Sequence, residues 1–306
     1  MILTGVRPPI PSLLSSNGHG NKLAVILLRT CLRRIPVTRI NSLRSLSVFP
    51  TMEDLPATKL TYYDDMWKLL SAASFITHLK EEAREAVILD STIFHPQGGG
   101  QPADHGVIAN SEGDIKFIVD DVRLKNGVVF HYGSFNLLYE REVAFERGQQ
   151  VHLSVDEKRR KLNARLHSAG HVMDACMRLV GLGHLEPAKG YHFPDGAFVE
   201  YKGTVTLNEL QSKQKDLEKE ANVMISNGGK VTASILPYKE ALELCGGSLP
   251  DYIPKDSSPR IVQLGNNLGC PCGGTHVADM SEIGSMKISQ IRMKKGIAKI
   301  SYSIEL

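Results

Sequence analysis

The chain has 306 residues, of which 42% are hydrophobic, a size and composition that suit one large or two modest globular domains. No run of about 18 or more uncharged apolar residues occurs, so the sequence predicts neither a membrane span nor a membrane partner. The formal net charge of +3 is too small for binding a polyanion through bulk charge, so any such partner must be held by local basic patches.

Residues 1–52 differ from the rest of the chain in composition. They contain seven Lys or Arg and no Asp or Glu, which leaves 29 basic and 33 acidic residues in the body of the chain. An Arg-rich, Ser-rich and acid-free segment is typical of an organelle transit peptide. We therefore predict a disordered transit peptide for the chloroplast or mitochondrion, with a tail of no targeting role as the alternative. Met52 is the expected start of a second, cytosolic form.

Residues 53–150 are predicted to form a small β-rich, barrel-like domain. The segment "GDIKFIVDDVRLKNGVVFHYGSF" alternates apolar and polar residues around Asn126 and Gly127, and Asn-Gly is the commonest two-residue hairpin turn. Residues 59–80 fit a helix or a strand equally well, and the choice stays open.

A glycine-rich loop is predicted at "DSTIFHPQGGGQPADHG", residues 90–106. Three consecutive glycines followed by Gln101 and Pro102 cannot form a regular helix or a central strand. Either the backbone bends sharply here or another group approaches it closely. The alternative is a surface turn without a task.

Residues 151–306 are predicted to form an α+β domain of helices packed on an antiparallel sheet. The pattern Ser154-x-x-Glu157 indicates a capping box for a long helix that ends near Gly181 and Gly183. Further helices are expected at residues 207–226 and 238–245. Strands are expected near residues 197–203, 230–236, 260–264, 286–293 and 297–304, the last two as a terminal hairpin.

Four residues in this second region have the spacing of metal ligands. His167 and His171 lie four residues apart in the predicted helix, so both imidazoles point to one side. Cys272 and His276 enclose a double glycine that lets a thiolate and an imidazole face one point. Zinc prefers this mixture of nitrogen and sulfur ligands. The alternatives are histidines that line a core and a cysteine that acts as a small buried hydrophobe.

Two known zinc patterns do not fit. A zinc-protease helix needs Glu directly after the first His, and Ser168 stands there. A zinc finger is excluded because about 100 residues separate the two halves of the set. The odd number of cysteines, five, argues against a disulfide framework, so metal binding is the better interpretation of Cys272.

These motifs resemble those of the AlaX-type alanyl-tRNA editing proteins and the editing domains of alanyl- and threonyl-tRNA synthetases. The matching segments are "GGGQPAD" at 98–104, "RLHSAGH" at 165–171, "GYHFPDGAFVEY" at 190–201 and "CGGTHV" at 272–277. The resemblance spans about residues 57–306, and the Arg-rich front end departs from it. The expected form is free-standing and acts in trans, without an aminoacylation domain.

The resemblance implies a zinc cofactor held by His167, His171, Cys272 and His276. It also implies that Gly99, Gly100 and Gln101 bind the aminoacyl end of a tRNA beside that zinc. Asp104, Thr275 and His192 are weaker candidates for assisting the chemistry, and each is more readily explained as structural.

The implied function is hydrolysis of the ester that joins a wrong amino acid, serine above all and glycine as a second candidate, to alanine tRNA. The implied partner is therefore tRNA rather than DNA. Two alternatives stay open: a non-catalytic, zinc-containing tRNA-binding module, and a zinc hydrolase of another ester. The zinc has three ligands and an open position, or four ligands and a structural role.

Two basic patches are candidates for contacting the RNA phosphates, with an ordinary solvated surface as the alternative for each. The first follows the start of the long helix and comprises Lys158, Arg159, Arg160, Lys161 and Arg165. The second lies at the terminal hairpin and comprises Arg292, Lys294, Lys295 and Lys299.

Overall fold

The computed structural model describes residues 55–81, 83–136 and 145–305. The predicted transit peptide and the alternative start at Met52 lie outside these residues. In the described ranges, no helix has the length and apolar character needed to cross a membrane.

A closed antiparallel barrel of six strands forms the first part of the described chain. Its strands are β2 (Leu70–Glu81), β3 (Arg84–Leu89), β5 (Gly106–Ala109), β6 (Lys116–Lys125), β7 (Val128–Phe135) and β8 (Gln150–Val155). They are hydrogen-bonded in the order β2-β3-β7-β6-β5-β8, and β8 closes on β2. Two short strands beside it, β1 (Lys59–Leu60) and β4 (Ser91–Thr92), pair in parallel.

The barrel confirms the predicted β-rich character of this part of the chain. Val87, Ile108 and Phe117 are completely buried in its interior, as the alternation of inward and outward side chains requires. Asn126 and Gly127 connect β6 to β7 with positive φ angles of 49° and 81°, as in a type I′ turn. The undecided segment at 59–80 contains a short 3-10 turn (Thr61–Tyr63) and then β2, not a long helix.

The second part of the chain is α+β, as predicted. Its helices are α1 (Glu157–Leu179), α2 (Leu207–Ser212), α3 (Gln214–Asn227) and α4 (Tyr238–Leu244). An antiparallel sheet has the order β14-β15-β10-β9 and comprises β9 (Glu186–Tyr191), β10 (Phe198–Lys202), β14 (Met286–Lys294) and β15 (Ile297–Ile304). A three-stranded sheet comprises β11 (Val231–Ile235), β12 (Arg260–Leu264) and β13 (Cys270–Pro271). Strands β9 and β13 were absent from the sequence analysis.

The predicted capping box of α1 is wrong. Ser154 belongs to β8, where it is paired with Leu70 on one side and Val107 on the other. The helix begins after Asp156, whose carboxylate accepts a hydrogen bond from the Arg159 N–H. Barrel closure therefore overrides the local capping pattern, and β8 crosses the boundary predicted at residue 150. The division into two domains at that point stays a prediction.

A buried ion pair fixes α1 against the glycine-rich loop. Arg160 is 3% exposed and Asp104 is fully buried, and the Arg160 guanidinium donates to both Asp104 carboxylate oxygens. The same guanidinium donates to the carbonyls of Met66 and Ile93 at 2.9 and 2.6 Å. Breaking such a buried pair costs about 3–5 kcal/mol, so this contact strongly restrains how the helix lies on the loop.

The barrel also contains a fully buried, neutral histidine. His131 donates from Nδ1 to the Val87 carbonyl at 2.9 Å, and its Nε2 lies 2.8 Å from the Thr92 hydroxyl, which can donate to it. Burial lowers the pKa of His131 from 6.5 to about 4. Since this folded-state pKa lies below that of the unfolded chain, the unfolded chain takes up a proton first as the pH falls from 6.5 to 4.

His131→Gln should therefore reduce the loss of stability in acid. We expect the free energy of unfolding of the wild type to fall by about 2 kcal/mol more than that of the variant between pH 7 and pH 5. Urea unfolding at both pH values measures this. His152→Gln, at an exposed position of β8, is the control and should behave like the wild type. An identical pH dependence for His131→Gln would contradict the buried neutral state.

Candidate metal centre and the cavity beside it

The structure brings His167, His171, Cys272 and His276 together. Their candidate ligand atoms all lie within 4.8 Å of one another. Cys272 Sγ is 3.5 Å from His167 Nε2 and 3.4 Å from His276 Nε2, close to the separation of about 3.5 Å expected between nitrogen and sulfur ligands of one tetrahedral zinc. The four residues could therefore hold a metal ion.

The orientation of the three imidazoles fits a metal. The Nδ1 atom of His167 lies 2.8 Å from Gln101 Oε1, and that of His276 lies 3.3 Å from the Ser168 hydroxyl. His171 Nδ1 faces Asp174 at 3.7 Å. With each Nδ1 turned to a neighbour, each Nε2 is left for a metal, as is usual for histidine ligands.

His171 Nε2 supplies a direct test of that fit. This atom is buried and has no hydrogen-bond partner within the described residues, which is costly unless another group binds it. Burial also lowers the pKa of His167 and His276 well below the ordinary value. Both imidazoles are therefore neutral near pH 7, which is the form that coordinates metals.

Two glycines let the cluster form. A Cβ on Gly170, between His167 and His171, would lie 2.4 Å from Cε1 of His192. A Cβ on Gly274 would lie 2.3 Å from Cε1 of His167. Larger residues at these two positions would displace the imidazoles. This steric limit explains why glycine stands at these positions in both motifs.

Residues distant in sequence hold the Cys272–His276 turn in place. The Arg260 guanidinium donates to the carbonyls of Cys272 and Gly274 at 2.8 and 2.9 Å, and the Trp67 indole N–H donates to the His276 carbonyl at 3.0 Å. The sequence analysis missed both residues because nothing local marks them. Asp174 was also missed, although its position three residues after His171 on one helix face was a usable signal.

A cavity of about 790 Å³ opens beside the cluster. The glycine-rich loop, the strand β9 and the Cys270–Gly273 segment line it together with His167 and His171. Gly99 and Gly100 have positive φ angles of 57° and 80°, and the Gly100 carbonyl accepts a hydrogen bond from the His192 N–H at 2.8 Å. A Cβ on Gly100 would lie 2.4 Å from the Gly190 carbonyl. The loop therefore bends sharply, as predicted. The group that approaches its backbone closely is the Gly190 carbonyl of β9.

The Gln101 amide is bonded to other residues of the site. Its side chain is fully buried, and its Oε1 accepts from His167 Nδ1–H and from the Thr275 N–H at 2.8 and 3.0 Å. Its Nε2 donates to the Thr275 hydroxyl at 2.8 Å. These bonds make Gln101 an orienting partner of His167. Gln101 also lines the cavity, and its contact with a substrate stays a prediction.

The weaker catalytic candidates Asp104 and Thr275 do not line the cavity among the described residues. Asp104 is paired with Arg160, and Thr275 with Gln101, so both are structural. The RNA-binding interpretation of Arg160 is wrong for the same reason, since a buried guanidinium cannot reach a phosphate. For Arg159, Lys161 and Arg165, RNA binding stays a prediction.

His192 presents a hydrogen-bond acceptor beside the cluster. The Tyr302 hydroxyl donates to the Leu166 carbonyl at 2.9 Å, so its oxygen accepts from His192 Nδ1, 2.6 Å away. Burial lowers the pKa of His192 to about 3, which makes the ring neutral. With the proton on Nδ1, Nε2 carries a lone pair. The ring lines the cavity and stacks on His167 at 4.5 Å between ring centroids.

Comparisons with known proteins agree with these motifs. Residues 40–159 match the family "tRNA synthetases class II (A)", and residues 260–300 match the "Threonyl and Alanyl tRNA synthetase second additional domain". The alanyl-tRNA editing protein AlaX-L of Pyrococcus horikoshii is 32% identical over 79% of this chain and 57% of its own length. The alanine–tRNA ligase of Methanosarcina acetivorans is 30% identical over 82% of this chain and 26% of its own length.

The alanine–tRNA ligase of Sulfurisphaera tokodaii is 28% identical over 83% of this chain. The chain spans about a quarter of the length of the ligases and 57% of the length of AlaX-L. The resemblance stated from the motifs is thereby confirmed.

Gln101→Ala should lower the affinity of the cluster for zinc about 10- to 100-fold, because His167 loses the partner that orients its ring. Zinc titration against a competing chelator measures this affinity. Gln97→Ala is the matched control, since Gln97 is an exposed residue of the same loop that lines the cavity. Equal affinities for both variants would contradict an orienting role for Gln101.

Proposed function

We propose that this chain, a relative of the alanyl-tRNA editing proteins, hydrolyses the ester bond of mischarged alanine tRNA, with Ser-tRNA(Ala) as its main substrate. The observation that carries the proposal is the His/Cys cluster that opens into a cavity bordered by the glycine-rich loop. The name of AlaX-L supports the substrate class.

Zinc is the proposed cofactor, held by His167, His171, Cys272 and His276. It would supply Lewis acidity to the ester or to a water next to it. The chain's own residues orient that centre: Gln101 fixes the ring of His167, and Ser168 lies beside Nδ1 of His276.

Selection between amino acids is the physical reason for such a site. A pocket built for alanine cannot strongly reject a small analogue by binding alone. A second site with a polar group for the serine hydroxyl reverses this preference, because alanine leaves that group unpaired. His192 Nε2 is a suitable acceptor, and we propose that it receives the serine hydroxyl.

Purified protein should release serine from Ser-tRNA(Ala) and leave Ala-tRNA(Ala) intact. Removal of zinc by a chelator should abolish this release, and added zinc should restore it. Cys272→Ala should lose the activity, whereas Cys245→Ala is the matched control, a partly buried free cysteine outside the cluster and the cavity lining, and should retain it. Radiolabelled deacylation assays measure all of these.

Three results would contradict the proposal. Binding of tRNA without any cleavage would indicate a non-catalytic module. Equal cleavage of the serine, glycine and alanine esters would indicate a general esterase. Full activity of zinc-free protein would remove the metal from the mechanism.

His192→Phe should lower the ratio of the Ser-tRNA(Ala) to the Gly-tRNA(Ala) hydrolysis rate by about 10-fold, the equivalent of one hydrogen bond of ~1.4 kcal/mol. The phenyl ring keeps the stacking on His167 but has no acceptor. Tyr302→Phe, at a residue that does not line the cavity among those described, should shift the ratio in the same direction because the His192 proton is no longer fixed on Nδ1. A ratio unchanged in both variants would exclude this role.

A further inference from the structure

Three aromatic rings form a parallel stack along one wall of the cavity. The Tyr191 ring lies 4.4 Å from the Phe193 ring and 5.2 Å from the Phe198 ring, with interplanar angles of 11° and 16°. All three side chains are half-buried, and none belongs to a core cluster. Tyr191 and Phe193 line the cavity. Nucleobases stack in the same parallel arrangement, on one another and on aromatic side chains.

Tyr191, the middle ring, and Phe198, one end of the stack, are held by polar contacts. The Lys299 ammonium lies over the Phe198 ring, 3.3 Å from its centroid. The Tyr191 hydroxyl donates to the Asp195 carboxylate at 3.1 Å. Among the described residues, no second aromatic ring stacks on Phe193. The stack is therefore rigid at the Phe198 end and ends at a half-exposed ring beside the cavity.

The sheet face that carries the stack is basic. Phe198 and Glu200 of β10 lie on the same face as their partners Tyr191 and Lys189 of β9, and Lys299 faces Phe198 from β15. Arg292 is paired with Lys299 across β14 and β15. This face carries more basic than acidic side chains. The basic residues are Lys189, Lys202, Lys287, Arg292, Lys294 and Lys299, and the acidic residues are Glu186 and Glu200.

The stack and the candidate metal centre are adjacent. Tyr191 and Phe193 flank His192 in the chain, and His192 stacks on His167 at 4.5 Å between ring centroids. Tyr191, His192 and Phe193 line the same cavity as His167 and His171, so a planar group on Phe193 would lie in the cavity that borders the candidate metal centre. Positive charge together with exposed rings is the combination by which proteins hold single-stranded nucleic acids.

We infer that Phe193 and Tyr191 form a stacking platform for the base at the unpaired 3′ end of an RNA, and that Lys189 and Arg292 bind the phosphates of the preceding nucleotides. This inference rests on the proposed function for the choice of RNA as the polyanion. Of the two basic patches in the sequence, it assigns RNA contact to the second, at the terminal hairpin. The first patch, at the start of α1, is not assigned to RNA.

An uncharged RNA minihelix with 2-aminopurine as its 3′-terminal base is the probe, because stacking quenches the fluorescence of this base. Wild-type protein should quench it on binding. Phe193→Leu, which keeps an apolar side chain, should lose the quenching and weaken binding about 10-fold, as loss of one stacked base predicts. Tyr252→Leu, an exposed aromatic residue that lines the same cavity outside the stack, is the matched control.

The phosphate contacts are tested by the salt dependence of binding. Lys189→Gln and Arg292→Gln should each reduce the slope of log affinity against log salt concentration by about 1 and leave the quenching in place. Lys161→Gln, in the basic patch of α1, should leave the slope unchanged.

Failure of this inference and failure of the proposed function give different results. Suppose that the wild-type protein does not hydrolyse Ser-tRNA(Ala), but that it quenches the probe and Phe193→Leu does not. This result supports the platform and contradicts the hydrolase. Hydrolysis by wild-type protein, with unchanged binding and quenching in Phe193→Leu, overturns the platform alone.

Discussion

The buried pair of Arg160 and Asp104 determines where the functional parts of this protein meet. The carboxylate belongs to the glycine-rich loop, and the guanidinium belongs to the first turn of α1. A buried charge must be paired and fully hydrogen-bonded, and here the Met66 and Ile93 carbonyls and the His95 N–H complete the set. With the first turn fixed, the third and fourth turns of α1 carry His167 and then His171 past the loop.

That placement brings the imidazoles of His167 and His276 against partners from other parts of the chain, while His171 faces Asp174 of its own helix. Gln101 comes from the loop after the short strand β4, and the His276 carbonyl accepts from the indole of Trp67, which precedes β2. The ring of His192, the residue after β9, lies against the same helix. The centre is therefore a junction of barrel, helix and sheet, and its geometry depends on all three being folded.

The elements that could be predicted from the sequence are those with local causes. The Asn126-Gly127 hairpin follows from turn chemistry, and the terminal hairpin and α3 follow from their periodicity. The capping pattern at Ser154 misled because barrel pairing of β8 competes with it and wins. The strand β9, "EPAKGY", has no alternation and little apolar character. Only its pairing with β10 makes it a strand, and no local signal reports that pairing. Targeting by the N-terminal segment stays a prediction.

The sequence by itself determined which residue types could form a metal centre, because the i, i+4 spacing of His167 and His171 and the double glycine between Cys272 and His276 are local properties of helix and turn. Only the tertiary structure decided what the other polar residues do. Gln101 became a buried orienting residue, Arg160 an internal ion-pair partner and His192 an acceptor set by Tyr302. The reason is that burial and hydrogen-bond partners arise from contacts across 56 to 110 residues of chain, and a sequence pattern carries no record of such contacts.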